Sequence, residues 1–241
     1  MAAQLIIDKR KPFLRFTLNR PAKGNLISAR MMLALSTQLR ALSAERGYRA
    51  VVIQGAGKDF CLGREPKPVA GGKTDTAHNS HASVMSVILD VYTALRECSV
   101  PVITAVHGRA HGFRCGLAGA SDLVLASDDA QFALPEMAHG IPPTLVMCAL
   151  ADVNRKAVLD MVYSGKSVDA HTALAIGIAS RVVPAQTLST QLDVLLASMA
   201  AHDEHAVRYI KGFADKPGHM SPQALSDLAG YTLATAFTRP R

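Results

Sequence analysis

Strand-like, loop-like and helix-like stretches follow one another several times along this chain, and that order restricts its fold more than any other feature. Residues 4 to 19 read as two short strands around Lys11-Pro12. In the second, Leu14, Phe16 and Leu18 alternate with Arg15, Thr17 and Asn19, so the fold opens on a hairpin. Ser28 is placed to cap a helix whose apolar residues Met31, Met32, Leu35, Leu39 and Leu42 share one face before Gly47. Ala50 to Gln54 is a strand closed by the turn Gly55-Ala56-Gly57. Val84, Val87, Ile88, Val91 and Leu95 restore helical spacing, and Val100 to Val106 reads as a buried strand running into Gly108. A helix then starts near Gly112 and ends before Asp122, and Leu123 to Ala126 is another short strand. Strands separated in this way pair mainly in parallel through crossover helices, so the fold class is α/β. From Asp169, which caps Ala170 to Ile176, the chain reads as mostly helical to its end.

The polar stretch from Gly63 to His81 contains Gly and Pro and reads as a long loop, the kind of segment that carries function in compact domains. With 241 residues, 49% of them hydrophobic and 19% charged, the chain has a core's worth of apolar side chains and none of the composition of disorder. Asp8, Lys9, Arg10 and Lys11 interrupt any signal-peptide-like start, and no apolar run reaches the ~18 positions of a membrane span, so a cytoplasmic protein with no membrane partner is expected. Cys61, Cys98, Cys115 and Cys148 form no C-x-x-C pair and read as reduced, mostly buried thiols. The net charge of +7 suits either a nucleic-acid surface or a small ligand with several phosphates. The absence of Trp and the scatter of Tyr and Phe disfavour a stacking platform for single strands, which favours the small ligand.

Several local patterns lead nowhere. His107 and His111 have metal-pair spacing, but Gly108 breaks the helical face such a pair needs, so no metal site is expected; His111 and His139 remain candidates to line a pocket. Gly55-Ala56-Gly57-Lys58 lacks the full phosphate-loop spacing and reads as a tight turn. No G-x-S-x-G nucleophile elbow occurs.

Five segments follow one another in a recognisable order: Asn19-Arg20-Pro21-Ala22-Lys23-Gly24-Asn25; Ala50 to Gly55; Phe60-Cys61-Leu62-Gly63-Arg64-Glu65-Pro66-Lys67; Val100 to Gly108; and Ala130-Gln131-Phe132-Ala133-Leu134-Pro135-Glu136. Ser164-Gly165, Ala173 to Ile178 and Val182-Val183-Pro184 extend the match. Together they resemble the crotonase, or enoyl-CoA hydratase/isomerase, superfamily over residues 4 to about 185. The resemblance implies a crotonase-like spiral of ββα units over 1–185, holding an acyl-CoA site, and a C-terminal helical trimerisation region over 186–241. It further implies a homo-trimer or dimer of trimers, and coenzyme A thioester as substrate with no separate cofactor. After a helix from Ser221 to about Thr235 only Ala236 to Arg241 follow, so the late residues that close the CoA pocket in the family are expected to be missing.

The chemistry of such a site passes through a thioester enolate, whose oxygen must be held by fixed donors as its charge develops. By resemblance the donors are the backbone amides of Arg64 and Phe113, the latter favoured by the positive end of its helix. The usual glycine run is replaced by Gly112-Phe113-Arg114-Cys115, so two added side chains should narrow the approach. Lys23 and Gly24, with Arg64, Glu65, Pro66 and Lys67, are the implied CoA contacts; the Arg64 guanidinium is a candidate for a substrate carboxylate or a CoA phosphate. Hydratases of the family use two glutamates. The second falls on Glu136, but the first falls on Gly116 and is absent. One carboxylate suffices to remove a proton at one carbon and return it at another, so single-glutamate isomerisation is favoured over hydration. The alternative is a member with altered catalysis that acts as a CoA- or RNA-binding protein.

Overall fold

The computed structural model describes residues 3–65, 76, 79, 81, 85–214, 216, 218 and 220–238. The strands among them are β1 (Leu5–Asp8), β2 (Phe13–Leu18), β3 (Ala50–Gly55), β4 (Val102–Val106), β5 (Arg109–His111), β6 (Leu123–Ser127), β7 (Gln131–Ala133), β8 (Val168–Asp169) and β9 (Arg181–Val183). β1 and β2 form the expected antiparallel hairpin, with Leu5 opposite Leu18. From β2 onward the pairing is parallel, in a six-stranded sheet of order β1-β2-β3-β4-β6-β9. β5, β7 and β8 make a second, three-stranded sheet.

Central strands of a parallel sheet are covered on both faces, which is why β3 and β4 read as unbroken apolar runs. Val51, Ile53, Val102 and Val106 face the main core with α1 (Ala29–Ala41) and α2 (Ser86–Glu97). Ala50, Val52, Ile103 and Ala105 face a second cluster containing Leu192, Leu196 and Met199. The caps read from the sequence are present: Ser28 Oγ accepts from the Met31 amide at 3.3 Å, and Asp169 Oδ1 accepts from Thr172 at 2.7 Å.

The two sheets define the spiral. β4 is followed by β5 and then α3 (Phe113–Gly119); β6 is followed by β7 and, further on, α4 (Thr144–Ala149). Single bridges continue the inner layer on earlier turns, Ile27 with Arg64 and Cys61 with Ala110. Each turn thus has an outer strand, an inner strand or bridge, and a helix, as the resemblance implied. The inner strands have three residues or fewer, too short to show a period, so the sequence reading passed over them.

α5 (Arg155–Ser164) and α6 (Ala170–Ile176) complete the spiral. From Asp169 onward the chain is mostly helical, as expected, apart from β9, which extends the large sheet beside β6 before α7 (Leu188–Ala200) supplies the second cluster. α8 (Glu204–Ala214) and α9 (Pro222–Thr238) pack against one another, and α9 contributes no buried residue. Among the described residues no helix is long and apolar enough to cross a membrane. Most of the expected loop from Gly63 to His81, with Pro66 and Lys67, lies outside the described residues.

Candidate active site

The loop that follows β3 is tied to the first hairpin's exit by Asn25. This residue is fully buried at φ 52°, a region asparagine tolerates better than most side chains. Its Nδ2 donates to the carbonyls of Ala56 at 2.7 Å and Asp59 at 2.8 Å, its Oδ1 accepts from the Arg20 amide at 2.8 Å, and its own carbonyl accepts the Cys61 thiol. The loop after β3 is thereby fixed up to the Ile27 bridge. There Ile27 donates to the Gly63 carbonyl at 3.1 Å and Glu65 donates to the Ile27 carbonyl at 2.9 Å. In a parallel bridge the residue between those two bonds turns its own N–H away from the partner strand. Arg64 is that residue, and no hydrogen bond to its amide occurs among the described residues.

On the neighbouring turn, Gly112 (φ 60°) precedes α3, so the Phe113 amide is the first of the N–H groups a helix leaves without an internal partner. The Phe113 ring stacks on Tyr92 at 5.3 Å between centroids, and the Tyr92 hydroxyl donates to the Phe113 carbonyl at 2.9 Å. Glu136 approaches from the 3-10 turn Pro135–His139. A Cβ at Gly112 would stand 2.5 Å from Glu136 Oε1, so only glycine there lets the carboxylate lie against the start of α3.

These groups line one cavity of about 540 Å³, which includes Gly63, Arg64, Tyr92, His111, Phe113, Glu136, His139 and Val146. Glu136 Oε2 is buried without a hydrogen-bond partner among the described residues. Burial raises the Glu136 pKa above the ordinary carboxylate value; its own backbone amide and His139 oppose the shift. His111 is pushed below the ordinary histidine value, first by burial and then by Arg109 and Arg114. The cavity therefore favours neutral forms, yet holds a carboxylate together with two backbone donors that have no partner among the described residues. That combination suits proton transfer next to a carbonyl whose oxygen gains charge.

Position 116 is already filled. A Cβ on Gly116 would collide with the Tyr92 hydroxyl, sit 2.8 Å from Tyr92 Cζ and sit 3.1 Å from Val146 Cγ1. Tyr92 is the residue that sequence reasoning missed; the signal was a hydroxyl in the apolar stripe of α2, which must find a buried partner. Of the two side chains expected to narrow the approach, only Phe113 lines the cavity; Arg114 is fully buried and turns into the core.

The structure thus brings Glu136, Arg64 and Phe113 together, with His111 and His139 beside them. Lys23 is exposed, and neither it nor Gly24 lines the cavity. Glu65 is also outside it, ion-paired to Arg20 at 2.8 Å, which holds its carboxyl below the ordinary value.

A family model described as enoyl-CoA hydratase/isomerase matches residues 9–228. The chain is 29% identical to 2,3-dehydroadipyl-CoA hydratase of Escherichia coli (strain K12), over 87% of this chain and 80% of that protein. It is 34% identical to carnitinyl-CoA dehydratase of Salmonella arizonae, over 76% of this chain and 69% of that protein. The solved structure of an enoyl-CoA hydratase/isomerase from Marinobacter aquaeolei superimposes with a TM-score of 0.91 at 28% identity, covering 98% of this chain and 92% of that one.

Proposed function

Since the chain belongs to the enoyl-CoA hydratase/isomerase family and is an acyl-CoA enzyme of that kind, we propose that it moves the double bond of a 3-enoyl-CoA to the 2-position, with Glu136 as its single acid/base group. The observation that carries this reading is the filled space at Gly116. Where a second carboxylate would orient water, the Tyr92 hydroxyl is already committed to the Phe113 carbonyl, and burial holds its pKa well above the usual phenol value. It is no substitute base.

In the proposed cycle the thioester oxygen accepts from the Arg64 and Phe113 amides. The Glu136 carboxylate takes a proton from C2, the C–H electron pair delocalises onto that oxygen as a dienolate, and Glu136 returns the proton to C4. The double bond moves from C3–C4 to C2–C3, and nothing is gained or lost. A raised carboxylate pKa supports this double role, because it strengthens the base and brings its protonated form closer to neutral pH.

The same reading assigns Arg64, Lys23, Gly24, Glu65, Pro66 and Lys67 to the CoA arm. Support comes from the nearness of Lys23 to Glu65, whose carboxyl it helps to lower, so the two segments run side by side. It also assigns residues 1–185 to the site-bearing core and 186–241 to assembly as a trimer or dimer of trimers. In support, α8 and α9 leave an apolar groove of about 430 Å³ that includes Tyr209, Ile210, Phe213 and Leu233.

Glu136→Gln tests the assignment. The variant should bind acyl-CoA as the wild type does while its kcat on 3-enoyl-CoA falls by about 10²–10⁴-fold. Equal turnover by both proteins would remove Glu136 from the mechanism, and binding without turnover of any enoyl-CoA by the wild type would favour a CoA-binding role.

A further inference from the structure

Arg114 is fully buried, and its Nε, Nη1 and Nη2 all lack a hydrogen-bond partner among the described residues. The Cys61 thiol lies beside it but donates to the Asn25 carbonyl, and burial pushes that thiol up to about 11, so no thiolate neutralises the guanidinium at neutral pH. Burial brings Arg114 down to about 10, against smaller opposing pulls from Cys61, Tyr92 and Asp59, which leaves it charged at neutral pH; the Asp59 carboxylate is itself held by Arg109 at 3.0 Å. An unpaired, desolvated cation is among the most unfavourable groups a core can hold, and it contributes nothing to stability there.

Its place explains what it can do. Arg114 directly follows Phe113, whose amide is one proposed oxyanion donor. A Cβ on Gly63 would stand 3.2 Å from Arg114 Nη2, and Gly63 directly precedes Arg64, whose amide is the other. The φ of 143° at Gly63 favours glycine, and the close approach puts the guanidinium against the cavity wall at that residue. It is not itself a lining residue. Gly63, against which its Nη2 lies, does line the cavity, so one glycine separates the guanidinium from the site. Away from water the field of such a cation is poorly screened.

We propose that Arg114 is a positioning residue that acts electrostatically: a buried cation without an ion pair among the described residues, behind the oxyanion site, that favours the enolate over the neutral thioester. This rests on the acyl-CoA reading above. The arginine would then be kept at the expense of stability, as preorganised charge often is.

The test uses acetoacetyl-CoA, whose enolate has its own ultraviolet absorbance, titrated while bound to the full-length wild type, Arg114→Met and Arg114→Lys; butyryl-CoA affinity and thermal melting are measured in parallel. Arg114→Met should melt at the same or a higher temperature, bind butyryl-CoA unchanged, and raise the pKa of bound acetoacetyl-CoA by about one unit, a tenfold weaker preference for the enolate. Arg114→Lys, which keeps the charge, should recover part of that shift. An Arg114→Met protein that melts earlier or fails to fold, or one in which the bound acetoacetyl-CoA pKa is unchanged, would overturn the proposal. Failure of the wild type to bind butyryl-CoA would instead strike at the acyl-CoA reading itself.

Discussion

Glu136, half-buried in the cavity wall, and Arg114, fully buried behind it, are two ionisable groups with restricted access to water, and the pH behaviour of the protein should follow from the first. Its folded-state pKa is raised by burial, so the base form is populated only above that value. The kcat/KM for isomerisation should therefore rise with pH through an inflection above the ordinary glutamate value of about 4.3. Stability has the opposite sign. The native state holds this proton more tightly than the unfolded chain, so stability declines as pH climbs from the unfolded to the folded pKa. Glu136→Gln removes that term, and its melting temperature should match or exceed that of the wild type at neutral pH while activity is lost. Calorimetry across pH separates the two effects. Glu136 was legible in the sequence because it sits in an unbroken match that runs through Pro135. Tyr92 was not, because its role depends on a contact with Phe113 twenty-one positions away.

At the scale of elements, sequence and structure agree where a segment is long enough to carry a period. α1, α2, β2, β3 and β4 were each readable from apolar spacing, and the starts of α1 and α6 from their caps Ser28 and Asp169. The inner strands β5 and β7, three residues each, were not, although they carry the chain to Gly112 and Pro135. The loop after β3, tied by Asn25 and running to Arg64, shows how much positioning lies outside regular elements. Asn25→Ala would leave the carbonyls of Ala56 and Asp59 without their buried donor. At about 1–3 kcal/mol for each unsatisfied group, a loss of roughly 3 kcal/mol is expected in urea denaturation. Acyl-CoA affinity should weaken as well, since the Arg64 amide is placed through the same loop.

For the whole molecule, the C-terminal helices leave the strongest unanswered surface. Ile210, Tyr231 and Phe237 are 69%, 76% and 80% exposed, on helices that bury little within one chain. Light scattering should give the mass of three or six copies, and Ile210→Asp with Leu233→Asp should reduce it to one while the spiral keeps its far-UV spectrum; an unchanged mass would place the interface elsewhere. The family and its spiral were legible because five segments keep their order; the sequence favoured isomerisation through the absent acid at Gly116, but that Tyr92 fills the space there was not legible. The most direct measurement compares two rates of the wild-type protein at saturating substrate: double-bond migration in a 3-enoyl-CoA and water addition to the matching 2-enoyl-CoA. Faster migration, with little or no 3-hydroxyacyl-CoA formed, is the result expected of a lone Glu136. Water addition as the faster reaction would contradict it.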